Sequence, residues 1–146
     1  MSNFNNFNPK DMELRDVHQL LLNSIAPRPI GFTSSISNDG TINLAPFSYH
    51  NAFSTNPPII GISPAFSGKT GKAKNTLINI LDTKEFALSI VTYEMVEQMN
   101  ICAADYPNGV NEFLKSGLEE NPSKIITVPG VKSSPLIMEC KLIQHI

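Results

Sequence analysis

At 146 residues and 41% hydrophobic content, the chain has the apolar mass for one domain with a real core. A formal net charge of -2, with no basic stripe beyond one short lysine cluster, excludes a general nucleic-acid binder. No apolar run is long enough to cross a bilayer as a helix, and the polar start MSNFNNFNPKD lacks the order of a signal peptide. Cys102 and Cys140 form no metal spacing and no disulfide framework, so reduced thiols in a cytoplasm are expected.

Residues 1–12 read as an arm, with Phe4 and Phe7 as its apolar points, and residues 13–146 as one domain without repeats or linkers. Asp16–Ile25 is a helix candidate capped by Asp16, with Val17, Leu20, Leu21 and Ser24 on one stripe and Pro27 and Pro29 ending it. Ile30–Ser37 is a strand with Phe32, Ser34 and Ile36 on one face and Gly31, Thr33, Ser35 and Ser37 on the other. Asn38-Asp39-Gly40 is a hairpin turn, and Thr41–Phe47 is the partner strand, with Ile42 and Leu44 opposite Asn43, Ala45 and Phe47. Ser48–Thr55 is less regular and expected to bend or bulge, and Ile59–Ser63 follows as a buried strand.

A polar loop then carries the cluster Gly68-Lys69-Thr70-Gly71-Lys72-Ala73-Lys74 to a helix over Asn75–Leu81, capped by Asn75 or Thr76. Asp82–Lys84 turns into the strand Glu85–Val91, and Tyr93–Ala104 is a helix with Met95, Val96, Met99 and Cys102 inward. YPNGVNEFLKSGL is a loop with a helical turn; Ile125–Val128 is extended, and Leu136–Ile143 is the last strand. That strand runs to Ile146 with no closing element, which carries the expectation of a truncated chain.

Most familiar chemistries fail on spacing. Gly68-Lys69-Thr70 lacks the Walker glycine, because Ser63 stands five residues before Gly68. G-x-G-x-x-G, H-E-x-x-H, C-x-x-C and G-x-S-x-G are all absent, so no metal site and no nucleophile elbow are expected. His50 sits among polar residues, Cys102 reads as core, and Glu94 and Glu112 have no partner at an informative spacing. A site without an evident nucleophile, acid or base fits a cofactor that carries the hard chemistry. Thr33, Ser34, Ser35 and Asn51 offer donors and acceptors to a flavin ring and ribityl chain. Lys74 with the amides of Asn75 and Thr76 offers a phosphate site. From the pattern alone, the plainer reading, hydroxyls decorating a solvent face, stands slightly ahead.

The stretch PRPIGFTSSISNDGTINLAPFSYHNAFSTNPPIIGIS resembles the flavin reductase-like family of FMN-binding split-barrel proteins, which includes flavoredoxins and reductase components of two-component monooxygenases. KNTLINI, YPNGVNEFLKSGL and SPLIMECKL continue the resemblance in order, with Asn75 and Asn111 where the family often has Asp. The resemblance implies a mainly β Greek-key split barrel with short helices, a homodimer, and FMN at the dimer interface. It implies reduction by NADH or NADPH, with electrons passed to an acceptor or a monooxygenase component. By that similarity Thr33, Ser34 and Ser35 would lie along the isoalloxazine, and Asn43, Ala45, Pro46, Phe47 and Ser48 would line ring and ribityl with Tyr49 and Asn51 nearby. Lys74 and Thr76 would approach the phosphate, supported by Asn79; no side chain would be catalytic. A flavoredoxin-like electron carrier and a non-enzymatic flavin- or haem-binding module are the rival expectations.

Overall fold

In the computed structural model, which describes residues 6–64 and 71–146, Gly31–Ile36 forms the strand β1 inside a four-stranded antiparallel sheet. Phe4 and the segment Gly68-Lys69-Thr70 lie outside the described residues. Ile42–Phe47 (β2) returns along β1, pairing Phe47 with Gly31 and Ile42 with Ile36. The turn between them holds because Gly40 takes φ 88°, and because Asp39 accepts the Thr41 N–H at 2.9 Å and the Ser37 hydroxyl at 2.5 Å.

His50–Thr55 (β3) and Pro58–Ile62 (β4) form a separate hairpin. Its register shifts between Ala52 and Ser54, the expected bulge, and leaves Phe53 73% exposed. Glu85–Ile90 (β5) covers the other edge of β1. Glu120–Asn121 (β6) pairs with Gly130–Val131 (β7), and Ile137–Lys141 (β8) pairs with β5, giving the order β2-β1-β5-β8. β4 is more open than expected: none of its residues is fully buried, because its apolar side faces an open groove.

The main sheet is covered on both faces. Phe32 and Leu44 pack on one side with Met95, Cys102, Phe113 and Val131. Phe86 and Leu88 pack on the other with Ile80. Thr33, Ser34 and Ser35 are therefore all fully buried, which overturns the plain reading of β1 as a polar strand decorating a solvent face. Each hydroxyl finds an internal partner, as a buried polar group must. Thr33 donates to the Gly31 carbonyl at 3.3 Å, Ser34 to the Pro129 carbonyl, and Ser35 accepts from Asn79 Nδ2 at 3.1 Å.

The helices are short. Leu14–Ser24 (α1) begins earlier than expected, with Glu13 and not Asp16 at its N-cap, because the Asp16 N–H already bonds the Glu13 carbonyl at 2.9 Å. None of its residues is fully buried. Asn75–Thr83 (α2) has Lys74 at its N-cap, not Asn75 or Thr76, and runs on to a left-handed Lys84 at φ 62°. The expected helix over Tyr93–Ala104 divides into a 3-10 turn, Tyr93–Met95, and Val96–Cys102 (α3). Glu112–Ser116 (α4) is capped by Asn111, whose Oδ1 accepts the Phe113 N–H at 2.9 Å.

Ile125–Val128 is not a strand. Its backbone donors go to carboxylates: Glu139 accepts from the N–H groups of Lys124, Ile125 and Ile126, and Glu85 accepts from the N–H and hydroxyl of Thr127. These bonds favour the ionised form and hold both carboxyls below their ordinary range. A depressed folded pKa contributes stability above the unfolded value near 4.5 and loses it as pH falls through the folded value. Glu139→Gln is therefore expected to flatten the acid limb of a stability-against-pH curve, measured by urea unfolding. An unchanged limb would remove Glu139 from that role.

Candidate functional site

Among the described residues, two depressions flank the sheet. A groove of about 1170 Å³ opens between the β3–β4 hairpin and β8, with Ile60, Ile62, Met138 and Leu142 along it. A smaller hollow of about 330 Å³ lies along α2 from Asn75 to Asp82, bordered also by Asn43, Asn79 and Asn108.

The expected site residues fall into three groups. Asn43, Phe47, Lys74, Thr76 and Asn79 gather where α2 meets β1 and β2. Lys74 Nζ lies 6.0 Å from the centre of the Phe47 ring and 3.7 Å from Asp105 Oδ1, with its side chain 35% exposed. Among the described residues no side chain caps the start of α2. A cationic group thus stands at a helix end whose first N–H groups have no side-chain acceptor among the described residues. Thr33 and Ser35 share the face that α2 covers, opposite Ala45 and Asn43 of β2. The structure does not bring Ser34 onto that face, since its hydroxyl goes to Pro129 on the other side. Ala45 and Pro46 are half-buried on β2.

Ser48, Tyr49 and Asn51 form the third group, on the groove. Ser48 accepts from Arg28 Nε at 3.2 Å, and the Arg28 guanidinium also donates to the carbonyls of Leu22 and Ile25 at 2.6 and 3.1 Å. Arg28 thereby ties α1 to the groove, a role that its place between two prolines left unread. The buried hydroxyl of Tyr49 and both ring nitrogens of His50 have no hydrogen-bond partner among the described residues. Burial lowers the His50 pKa, which favours a neutral ring. The Asn51 side chain is exposed and its Oδ1 accepts the N–H of Ala52 at 2.9 Å.

Sequence reasoning missed Glu112. It is 4% exposed, and it accepts from Asn43 Nδ2 and from the Leu44 N–H, each at 2.9 Å. β2 is the edge strand of its sheet, so the Leu44 N–H facing away from β1 has no ladder partner, and the carboxylate replaces one. Asn43 in turn accepts the Thr76 hydroxyl at 2.6 Å. Desolvation pushes the Glu112 carboxyl above its ordinary range despite these donors. Cys102 is core, as expected, with its thiol pushed up by burial; Cys140 is half-buried and pushed up to about 11. Among the described residues no group of acidic, histidine or cysteine side chains is arranged to hold a metal, and no helix is long and apolar enough to cross a membrane.

The family model described as "Flavin reductase like domain" matches residues 23–146. The chain belongs to the flavin reductase-like family. Among its relatives, a protein of Aquifex aeolicus is 39% identical over 137 residues, covering 94% of this chain and 69% of that protein. The solved structure of nitrilotriacetate monooxygenase component B from Bacillus cereus is 34% identical, with TM-score 0.91, and covers 99% of this chain and 70% of that one. A structure with a split barrel domain from Shewanella frigidimarina, 24% identical with TM-score 0.76 over 94% of this chain and 66% of that one, shares the fold. The four-stranded sheet with its separate β3–β4 hairpin is thus a flavin reductase-like split barrel, mainly β with short helices, as expected.

Proposed function

We propose that this flavin reductase-like chain binds FMN and acts as an NAD(P)H:flavin oxidoreductase. The observation that carries the reading is the start of α2, where half-exposed Lys74 stands over Phe47 at a helix end that no described side chain caps. A phosphate monoester fits that arrangement, because helix N–H groups and an ammonium both favour an anion. Phe47 and Ala45 on β2 would cover the apolar part of the ligand, with Asn43, Pro46 and Ser48 along the same strand and its exit. Thr33 and Ser35 lie beneath, Tyr49 and Asn51 lie toward the groove, and Asn79 braces the helix. Ser34, bonded to Pro129, would act as a brace for β1.

Bound FMN would supply a two-electron acceptor; the residues would hold it and exclude water from its ring, and no side chain need act as acid or base. The likeness to a monooxygenase component B supports a monooxygenase as the eventual recipient of electrons. A homodimer in the cytoplasm completes the proposal. An electron carrier on the same fold would keep FMN but react poorly with NADH, so turnover with NADH separates the two.

Lys74→Ala is expected to weaken FMN binding by about tenfold or more, the scale of a lost hydrogen bond to a charged group, while riboflavin binding stays unchanged. Fluorescence titration of both flavins checks this, and equal FMN affinity in the variant would remove Lys74 from the site.

A further inference from the structure

Thr76, Asn43 and Glu112 form one buried chain of hydrogen bonds from α2 through β2 to α4. Thr76 donates to Asn43 Oδ1 at 2.6 Å, and Asn43 Nδ2 donates to Glu112 Oε1 at 2.9 Å. The three residues are 1%, 8% and 4% exposed, so water does not substitute along it. In its ionised form the Glu112 carboxylate only accepts. Glu112 takes the Leu44 N–H on one oxygen and must receive the Asn43 amide on the other. Asn43 has then presented its NH₂ to Glu112, and only its carbonyl oxygen remains toward Thr76. The Thr76 hydroxyl must fill that acceptor with its single proton.

We infer that Glu112 is a positioning residue that fixes the hydrogen-bond polarity of the α2 N-terminus: through Asn43 it commits the Thr76 proton inward, so Thr76 meets a bound phosphate with its backbone N–H and never with its hydroxyl. The phosphate half of this inference rests on the FMN reading above; the polarity of the relay does not. It also separates the two residues placed near the phosphate. Lys74 supplies charge, while the Thr76 side chain ties the helix end to β2.

Glu112→Gln keeps the shape and reverses the relay. The oxygen of the substituted amide accepts the Leu44 N–H, its NH₂ requires the Asn43 oxygen, and the turned Asn43 amide donates to Thr76. The Thr76 proton is released toward the helix end. Titrations of the E112Q protein with FMN and with riboflavin are expected to show FMN binding tightened by about three- to tenfold, with riboflavin within about twofold of wild type. The gain should vanish in the double variant that also carries Thr76→Val. A parallel change in both flavins, or a gain that survives Thr76→Val, would reduce Glu112 to a packing role and overturn the inference.

A second readout needs no flavin. The side-chain NH₂ resonance of Asn43 in the unliganded protein should shift strongly between wild type and E112Q, because its acceptor changes from a carboxylate to a hydroxyl. An unmoved resonance would overturn the relay itself. If wild type and variant both fail to distinguish FMN from riboflavin, the phosphate reading falls with its half of the inference, and the Asn43 resonance alone decides the relay.

Discussion

Phe32→Ala is expected to lower the unfolding free energy by about 3–5 kcal/mol, the usual range for emptying a buried aromatic site. Phe32 is fully buried on the inner strand β1 and touches the cluster built from Leu44, Met95, Cys102, Phe113 and Val131. Those side chains come from β2, the 3-10 turn, α3, α4 and β7, so the cavity would not close by moving one element. The same substitution should loosen β1 against β2, and flavin affinity would fall with stability. Chemical denaturation checks the prediction. A loss below about 1 kcal/mol, the scale of a surface change, would mean that this cluster is not the core.

Glu112→Ala is expected to cost about 2–4 kcal/mol. It strips Asn43 Nδ2 and the Leu44 N–H of their acceptor in a buried place, and each orphaned donor costs about 1–3 kcal/mol. Relief from burying a carboxylate offsets part of this, which keeps the total below the simple sum. The sign of the pH dependence follows from the raised carboxyl. A folded pKa above the unfolded value gives Glu112 its full contribution below about 4.5, and that contribution is lost as pH rises through the folded value. The gap between wild type and variant is therefore widest in acid and narrows toward neutrality. Glu139 and Glu85 titrate in both proteins and cancel in the difference. A gap that widened with rising pH would contradict the assignment of burial as the dominant influence on Glu112.

Much of this fold was legible because the local signals agree. The Asp39-Gly40 turn, the period-two runs of β1 and β2 and the bulge in β3 each declared themselves within a few residues. What the sequence could not show was how many faces of β1 are covered. Three consecutive hydroxyl residues look solvent-facing until α2 and the segment around Pro129 close over them, and those contacts join residues 44 and 95 positions apart. Ile125–Val128 reads as extended by composition, but it joins no sheet, because Glu85 and Glu139 take its backbone donors from 42 and 14 residues away. Glu112 was silent for the same reason: its partners lie 69 and 68 residues upstream, and a lone glutamate opening a short helix looks like an ordinary first-turn acid. Its one local signal was Asn111, a cap that fixes where α4 begins.

The candidate site was partly legible. Lys74 before a helix reads as a candidate anion end, and the structure adds the Phe47 ring and Asp105 around it. The resemblance grouped Thr33, Ser34 and Ser35 together, whereas the pleat separates Ser34 from its neighbours and turns it toward Pro129. Tyr49 and His50 keep buried polar atoms without partners among the described residues, on a groove of about 1170 Å³, a feature of packing that no local pattern reports.

The visible absorption spectrum of the purified protein after incubation with FMN, desalting and anaerobic addition of NADH or NADPH tests flavin binding and nicotinamide-driven reduction together. Retained flavin bands that bleach on addition of the nicotinamide are predicted, with loss of those bands in Lys74→Ala. A colourless protein that also fails to support FMN-dependent NADH or NADPH oxidation would contradict the assignment.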